Sequence, residues 1–211
     1  MTETLIVPGL NGSPAGHWQR HWLEIDPQAV LVEQEDWARP VLVDWLHQLE
    51  AALMASRPGV ILVAHSLGCA LVAALAGRPA ASHVGGALLV APADVASLSQ
   101  TVPTAASFAQ SAQARLPFAS ILVASRNDPY MRFEGAERCA ATWGSALYDL
   151  GAAGHVNIAS GFGPWPDALT LADGLRGRPA RQTRLARGGA SHTFGVRLGA
   201  PRLHDSGLGL G

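Results

Sequence analysis

The chain has 211 residues, 48% hydrophobic and 15% charged, which is enough for one well-filled domain and too few for two comfortable ones. This composition excludes a disordered chain, and a formal net charge of −1 gives no overall pull on a polyanion. The charge is uneven: residues 1–175 carry 8 Arg against 15 acidic residues, about −7, and residues 176–211 carry 7 Arg against one Asp, about +6.

Short apolar strands alternate with helix-length segments. "TLIVP" (4–8) reads as the first strand, "HWQRHWLEI" (17–25) as a short helix and "AVLVEQ" (29–34) as a second strand. "PVLVDWLHQLEAALMAS" (40–56) opens with Pro and carries apolar residues three and four apart, the pattern of a helix. "GVILVA" (59–64) is a continuous Val/Ile/Leu run, as in a strand buried on both faces of a parallel sheet. "LGCALVAALAG" (67–77) reads as a helix closed by Gly. Further strands are expected at 85–91, 119–125 and 145–150, and further helices at 134–143 and 165–175. The link 93–118 has room for a short helix or small lid, not for a large cap.

This alternation predicts an α/β architecture: a mostly parallel sheet of about six strands with helices on both faces. In such sheets the chemistry sits at the carboxyl ends of the strands. The segments that matter are then "GLNGS", "HS", "PAD", "RNDPY" and "GAAGHVN", each just past a strand.

From Arg176 to Gly211 no period is sustained, and Gly and Arg dominate. The expectation is one domain over 1–175 and a disordered basic tail over 176–211, read as an extension without function rather than a nucleic-acid or membrane contact. Lysine is absent, which together with the abundance of Ala, Gly and Arg reads as a GC-rich coding bias. Two cysteines, Cys69 and Cys139, make no disulfide framework. The start "MTETLIVPGLNG" lacks a basic segment before its short apolar run, so it does not read as a signal peptide, and no apolar run is long enough to span a membrane. The expectation is a soluble, cytoplasmic protein.

One serine stands where the run "VILVAH" gives way to helix-forming residues. A hydroxyl at a strand-to-helix turn is held above the sheet, with the free amides of the helix N-terminus behind it. The pentapeptide A-H-S-L-G matches the nucleophile elbow G-x-S-x-G with Ala64 for the first Gly. The plainer reading, Ser66 as a helix N-cap, does not account for small residues on both flanks. A serine nucleophile needs a base, usually a histidine oriented by a carboxylate, in the chain order Ser, acid, His. His155 in "GAAGHVN" stands at the expected place, whereas His17, His21 and His47 precede the serine and His192 and His204 lie in the tail. For the acid, Asp128 in "RNDPY" is favoured, its place fixed by the proline that follows, and Asp94 in "APAD" reads as a cap. Donors to a developing oxyanion are expected from the backbone N–H of Leu67 and from Leu10 or Asn11 in the loop after the first strand. His65 adjoins the serine but is expected to point elsewhere along the turn, while still belonging to the candidate pocket wall. No metal-ligand spacing and no phosphate-binding glycine loop is present, so no metal and no cofactor are predicted.

Four stretches, "VPGLNGSPAGHWQRHW", "VILVAHSLGC", "ILVASRNDPYM" and "GHVNIASGFGPWPDAL", carry a resemblance to the small α/β-hydrolases of the retinoblastoma-binding-protein-nine type and their bacterial relatives. The resemblance extends over residues 4–175, and the G-H-W and N-D-P-Y runs make it specific. It implies the α/β-hydrolase fold with little or no cap and the triad Ser66, Asp128 and His155. It also implies His17 and Trp18 near the site as pocket or loop supports, although an amphipathic helix packing Trp18 and Trp22 on the core explains them equally well. Nothing past residue 185 matches. The chemistry expected is hydrolysis of a small carboxylic ester, with amides and thioesters as alternatives, through an acyl-enzyme. Acyl transfer to an alcohol uses the same residues. An interaction protein that kept the fold and lost turnover is the alternative of another class, and a protein partner stays open. Dehalogenase chemistry on this fold would want a carboxylate at position 66.

Overall fold

The computed structural model describes residues 3–110 and 114–176. Among the described residues six strands, β1 (Thr4–Val7), β2 (Ala29–Leu31), β3 (Val60–His65), β4 (Val84–Val90), β5 (Ala119–Ala124) and β6 (Ala146–Asp149), form one open sheet in the order β2-β1-β3-β4-β5-β6. Every pairing is parallel. The helices are α1 (Trp18–Ile25), α2 (Leu42–Ala55), α3 (Leu67–Ala73), α4 (Val95–Leu98), α5 (Phe133–Trp143) and α6 (Pro166–Asp173).

Period two along each strand sends neighbouring side chains to opposite faces, so a strand with helices on both sides must be apolar throughout. β3 obeys this, with all six residues buried. Leu62, Ala64 and Leu89 face a core shared with Trp45, Leu49 and Leu53 of α2, with α3, and with Trp143 of α5. Ile61, Val63 and Leu88 face a second core built on Trp18 and Trp22 of α1 and Ala168 and Ala172 of α6. The edge strands are short, and β2 is only partly covered, so the ladder there stops at Leu31 although Val32 and Gln34 remain buried.

The predicted elements all form, with shifted ends. The helix expected from Pro40 begins at Leu42, because Val41 is extended (φ −119°, ψ 123°) and serves as its cap. α3 is shorter than the expected 67–77: after Ala73 the amides of Leu75 and Ala76 reach back only three residues, and Gly77 closes the turn at φ +79°. The link 93–118 holds α4 and a 3₁₀ run over Pro103–Gln110. A further 3₁₀ turn, opened by its proline, spans Pro79–His83 between α3 and β4. The tail reading concerns residues outside the described ones, apart from Arg176, which donates to Asp173 and, through Nη2, to Thr4 Oγ1 at 3.0 Å. Among the described residues no helix is long and apolar enough to cross a membrane.

The chain leaves β1 towards β2 on one side, returns, and continues from β3 towards β6 on the other. Between β1 and β3 the winding reverses, and the loops after these two strands part to leave a crevice at their carboxyl ends.

Leu89 sits in the middle of β4 with no exposed surface. Leu89→Ala should lower the unfolding free energy by about 2–5 kcal/mol, read as a reduced urea midpoint from tryptophan fluorescence. An unchanged midpoint would mean the sheet is not packed as described.

Candidate active site

Ser66 joins β3 to α3 with φ 55° and ψ −122°, a conformation that strains any residue with a Cβ. Its N–H donates to Val90 O at 3.0 Å, so β4 helps hold the turn. Close approach explains the glycines around it. A Cβ on Gly68 would lie 2.6 Å from Pro8 O and also strike Val7 O, and one on Gly9 would lie 2.8 Å from Ser66 Cβ. Ala64 is fully buried and fits where the motif usually has glycine.

Among the described residues, four non-glycine residues have positive φ: Asn11 (62°), Ser66 (55°), Ala91 (46°) and Val156 (49°). They follow β1, β3, β4 and β6, all at the carboxyl edge of the sheet. Backbone strain of this kind is stored where a structure needs side chains aimed.

The loops after β5 and β6 bring two more groups to Ser66. His155 Nε2 lies 2.9 Å from Ser66 Oγ, and His155 Nδ1 lies 2.8 Å from Asp128 Oδ2 and 3.0 Å from Oδ1. The side chains of His155 and Asp128 are almost entirely covered, at 7% and 2% exposure. Asp128 also accepts the Tyr130 N–H at 2.8 Å, and the Tyr130 ring stands edge-on to His155 with centroids 4.6 Å apart. Asn127 Oδ1 accepts from Gly154 N–H at 2.7 Å and from Ser125 Oγ–H at 2.9 Å, joining the two loops. Ser160 Oγ accepts the His155 N–H at 3.0 Å and donates to Asn157 Oδ1. Asn127 and Tyr130 belong to the specific N-D-P-Y run, but nothing in the sequence assigns a role to them or to Ser125, Asn157 and Ser160 beyond their standing near Asp128 and His155. Asp94 caps α4, accepting from Ala96 N–H and Ser97 Oγ–H, each at 3.0 Å.

Two further expectations, for Asn11 and His65, come out differently, and for Trp18 one of the two readings is selected. The Asn11 N–H donates to Trp37 O at 2.9 Å, so it is committed elsewhere and cannot serve an oxyanion. Leu10 and Leu67 remain: the Leu10 N–H has no protein acceptor among the described residues, and Leu67 N–H is the first amide of α3. Trp18 is no pocket residue. Only 2% exposed, it packs into the core beneath α1 and donates its indole N–H to Val156 O at 2.9 Å. His65 does not point away. It lines the same cleft as Ser66 and donates Nε2–H to His155 O at 2.9 Å.

His17 caps α1, accepting the Gln19 N–H on Nδ1 at 3.3 Å, and also lines the cleft. Its ring lies 5.0 Å from that of His65, which lies 4.9 Å from that of His155. Burial, and secondarily the charge His155 can carry, lower the His17 pKa from 6.5 to about 4. Burial holds His65 well below the ordinary histidine range, with repulsion from His155 and His17 adding to it. Gln19, fully buried, accepts from Ser13 Oγ–H and donates to Val63 O at 3.0 Å, which ties the loop after β1 to β3.

A cleft of about 920 Å³ opens over Ser66. Leu10, Leu98 and Met131 give it apolar walls, and Tyr130 and Ile158 stand exposed at its mouth. Among the described residues no group of three or more His, Cys, Asp or Glu side chains could hold a metal ion.

The family model for serine hydrolases matches residues 4–173, so the chain belongs to the serine hydrolase family. Among solved structures it is similar to a YdeN-like hydrolase from Pectobacterium atrosepticum, with 30% identity and a TM-score of 0.71 over 83% of this chain and 93% of that one. The ydeN gene product of B. subtilis matches at 24% identity and a TM-score of 0.63, over 82% of this chain and all (100%) of the other. Esterase 2 of Thermogutta terrifontis, at 18% identity and a TM-score of 0.60 over 82% of each chain, shares the fold. A comparison with curated protein sequences gave no match. The fold is the α/β-hydrolase fold, and the protein is a small hydrolase of the serine type.

The neutral histidines have a consequence for stability. Between pH 6.5 and about 4 the unfolded chain holds a proton on residue 17 that the folded chain lacks. Stability therefore falls as pH drops through this window, by about 1.4 kcal/mol per pH unit for each such group. His17→Asn, neutral at every pH, should flatten the slope of unfolding free energy against pH by one proton in urea titrations. An unchanged slope would show that His17 is protonated equally in both states.

Proposed function

We propose that the protein is a carboxylesterase acting on small uncharged esters through Ser66, His155 and Asp128. The observation that carries this reading is the continuous line from Ser66 Oγ to His155 Nε2, at 2.9 Å, and from His155 Nδ1 to Asp128, at 2.8 Å. A carboxylate accepts only, so Nδ1 carries the proton and Nε2 presents a lone pair to the serine hydroxyl. Ser66 Oγ attacks the ester carbonyl carbon, and its proton passes to His155 Nε2. Asp128 stabilises the imidazolium that results. Neither His17 nor His65 has a carboxylate partner, so the proton has no competing resting place. The oxyanion accepts from the amides of Leu67 and Leu10. His155 returns its proton to the departing alkoxide, then removes one from a water that attacks the acyl-enzyme.

Charge around the cleft supports an uncharged substrate. Asp128 faces His155, Asp94 is used in capping α4, and Arg132 is 89% exposed at the rim beside Glu134. None of these is a buried cation that could hold a substrate carboxylate. The apolar walls suit a short or medium acyl chain. Within the family this reading keeps the retinoblastoma-binding-protein-nine type, on the G-H-W and N-D-P-Y runs. It also keeps a cytoplasmic setting, supported by the free thiols of Cys69 and Cys139.

A panel of p-nitrophenyl esters from acetate to octanoate tests the reading. The wild type should turn over the shorter members, and Ser66→Ala should abolish turnover without loss of fold. Asp128→Asn should lower kcat roughly 10⁴-fold. A larger loss in Asp94→Asn than in Asp128→Asn would move the acid role to the loop after β4. Unaltered turnover in Ser66→Ala would overturn the mechanism.

A further inference from the structure

His155, which reaches Ser66, is flanked on both sides by residues in the left-handed region of backbone space. Val156, the next residue, is β-branched and sits at φ 49°, where such residues are rare. Gly154, the residue before, is at φ 58°. A loop of this kind relaxes unless its surroundings fix it, and relaxation would swing the imidazole away from the serine.

Asn127 and Ser160 hold the amides of Gly154 and His155, and two ring N–H groups hold the two consecutive carbonyls that follow. His65 donates Nε2–H to His155 O and Trp18 donates Nε1–H to Val156 O, both at 2.9 Å. A carbonyl only accepts, so the proton of His65 is on Nε2. The two rings meet edge to face, with centroids 6.0 Å apart and planes at 89°. His17 packs against both, 5.5 Å from Trp18 and 5.0 Å from His65. His65 leads directly into the nucleophile, and Trp18 is the first residue of α1. The strand that presents the serine therefore also grips the loop that presents the base.

We propose that His65 and Trp18 are positioning residues that clamp the His155–Val156 backbone and so set the His155 imidazole against Ser66. The inference rests on the esterase reading above. Neither side chain donates to the reacting atoms. Their effect should be confined to how well His155 is aimed, and so to kcat rather than to substrate binding.

The test is steady-state ester hydrolysis by the full chain, with each variant checked for fold by circular dichroism. His65→Leu removes the donor, and His65→Gln keeps an amide N–H near the place of Nε2. His65→Leu should lower kcat roughly 10- to 100-fold with KM unchanged, the size of effect expected when a reacting group is misplaced by about an ångström. His65→Gln should recover most of that loss. The low-field proton resonance of His155 Nδ1–H against Asp128 should be present in the wild type and in His65→Gln, and broadened or lost in His65→Leu. If His65→Leu does not fold, Trp18→Phe carries the test: it keeps an aromatic ring, loses the N–H, and should lower kcat in the same manner. A folded His65→Leu with wild-type kcat and an intact low-field resonance would overturn the proposal. So would a His65→Gln as impaired as His65→Leu, since ring packing alone would then explain the effect. A wild type with no esterase activity would instead overturn the esterase reading, and the clamp with it.

Discussion

Where β3 meets α3, two stretches of backbone come too close for any side chain to stand between them. Gly9 lies over Ser66, and Gly68 lies against the carbonyls of Val7 and Pro8. This approach is possible because β1 and β3 are hydrogen-bonded neighbours and their following loops diverge from the same edge. It forces Ser66 into its strained conformation and points the hydroxyl out of the sheet. It also brings Gly9, the residue before Leu10, against the Leu67 amide at the start of α3. Strain at one residue costs on the order of 1–3 kcal/mol, a cost that two fully buried cores can carry.

The site built on this contact is electrostatically uneven. Three imidazoles lie in a row, and only that of His155 has a carboxylate. Burial keeps His17 and His65 neutral near pH 7, so they pack as polar rings without adding charge beside His155. A cationic group at either place would repel the imidazolium that serine chemistry forms. Neutral rings can also donate or accept single hydrogen bonds, and both do: His17 to the N-terminus of α1, His65 to the loop of the third histidine.

How much of this could be read from the chain depended on the range of the interaction. β3 was legible because a parallel strand buried on both faces leaves an uninterrupted apolar run, and the elbow because its small flanking residues are adjacent in sequence. The meeting of Ser66, Asp128 and His155 followed from placing each at the end of a strand. Long-range partners were not legible. The sequence around Asn11 suggests an oxyanion donor, but Trp37, on another loop, takes its N–H. His65 was read as turned away, yet its partner is a carbonyl 90 residues further on. Trp18 was read both as pocket wall and as core, and only packing under α1 could decide for the core. The Gln19 side chain gave no local signal at all, since its partners are the loop after β1 and the backbone of β3.

The mechanism requires Ser66 to be chemically activated, and not merely placed at a turn. Fluorophosphonates react with a serine only when a base has activated its hydroxyl. The most direct measurement is intact-protein mass spectrometry of the purified chain after exposure to a fluorophosphonate, followed by peptide mapping. One stoichiometric adduct is expected on the peptide containing Ser66, absent from Ser66→Ala. A folded protein that takes up no label, or takes it up equally in Ser66→Ala, would contradict the mechanism.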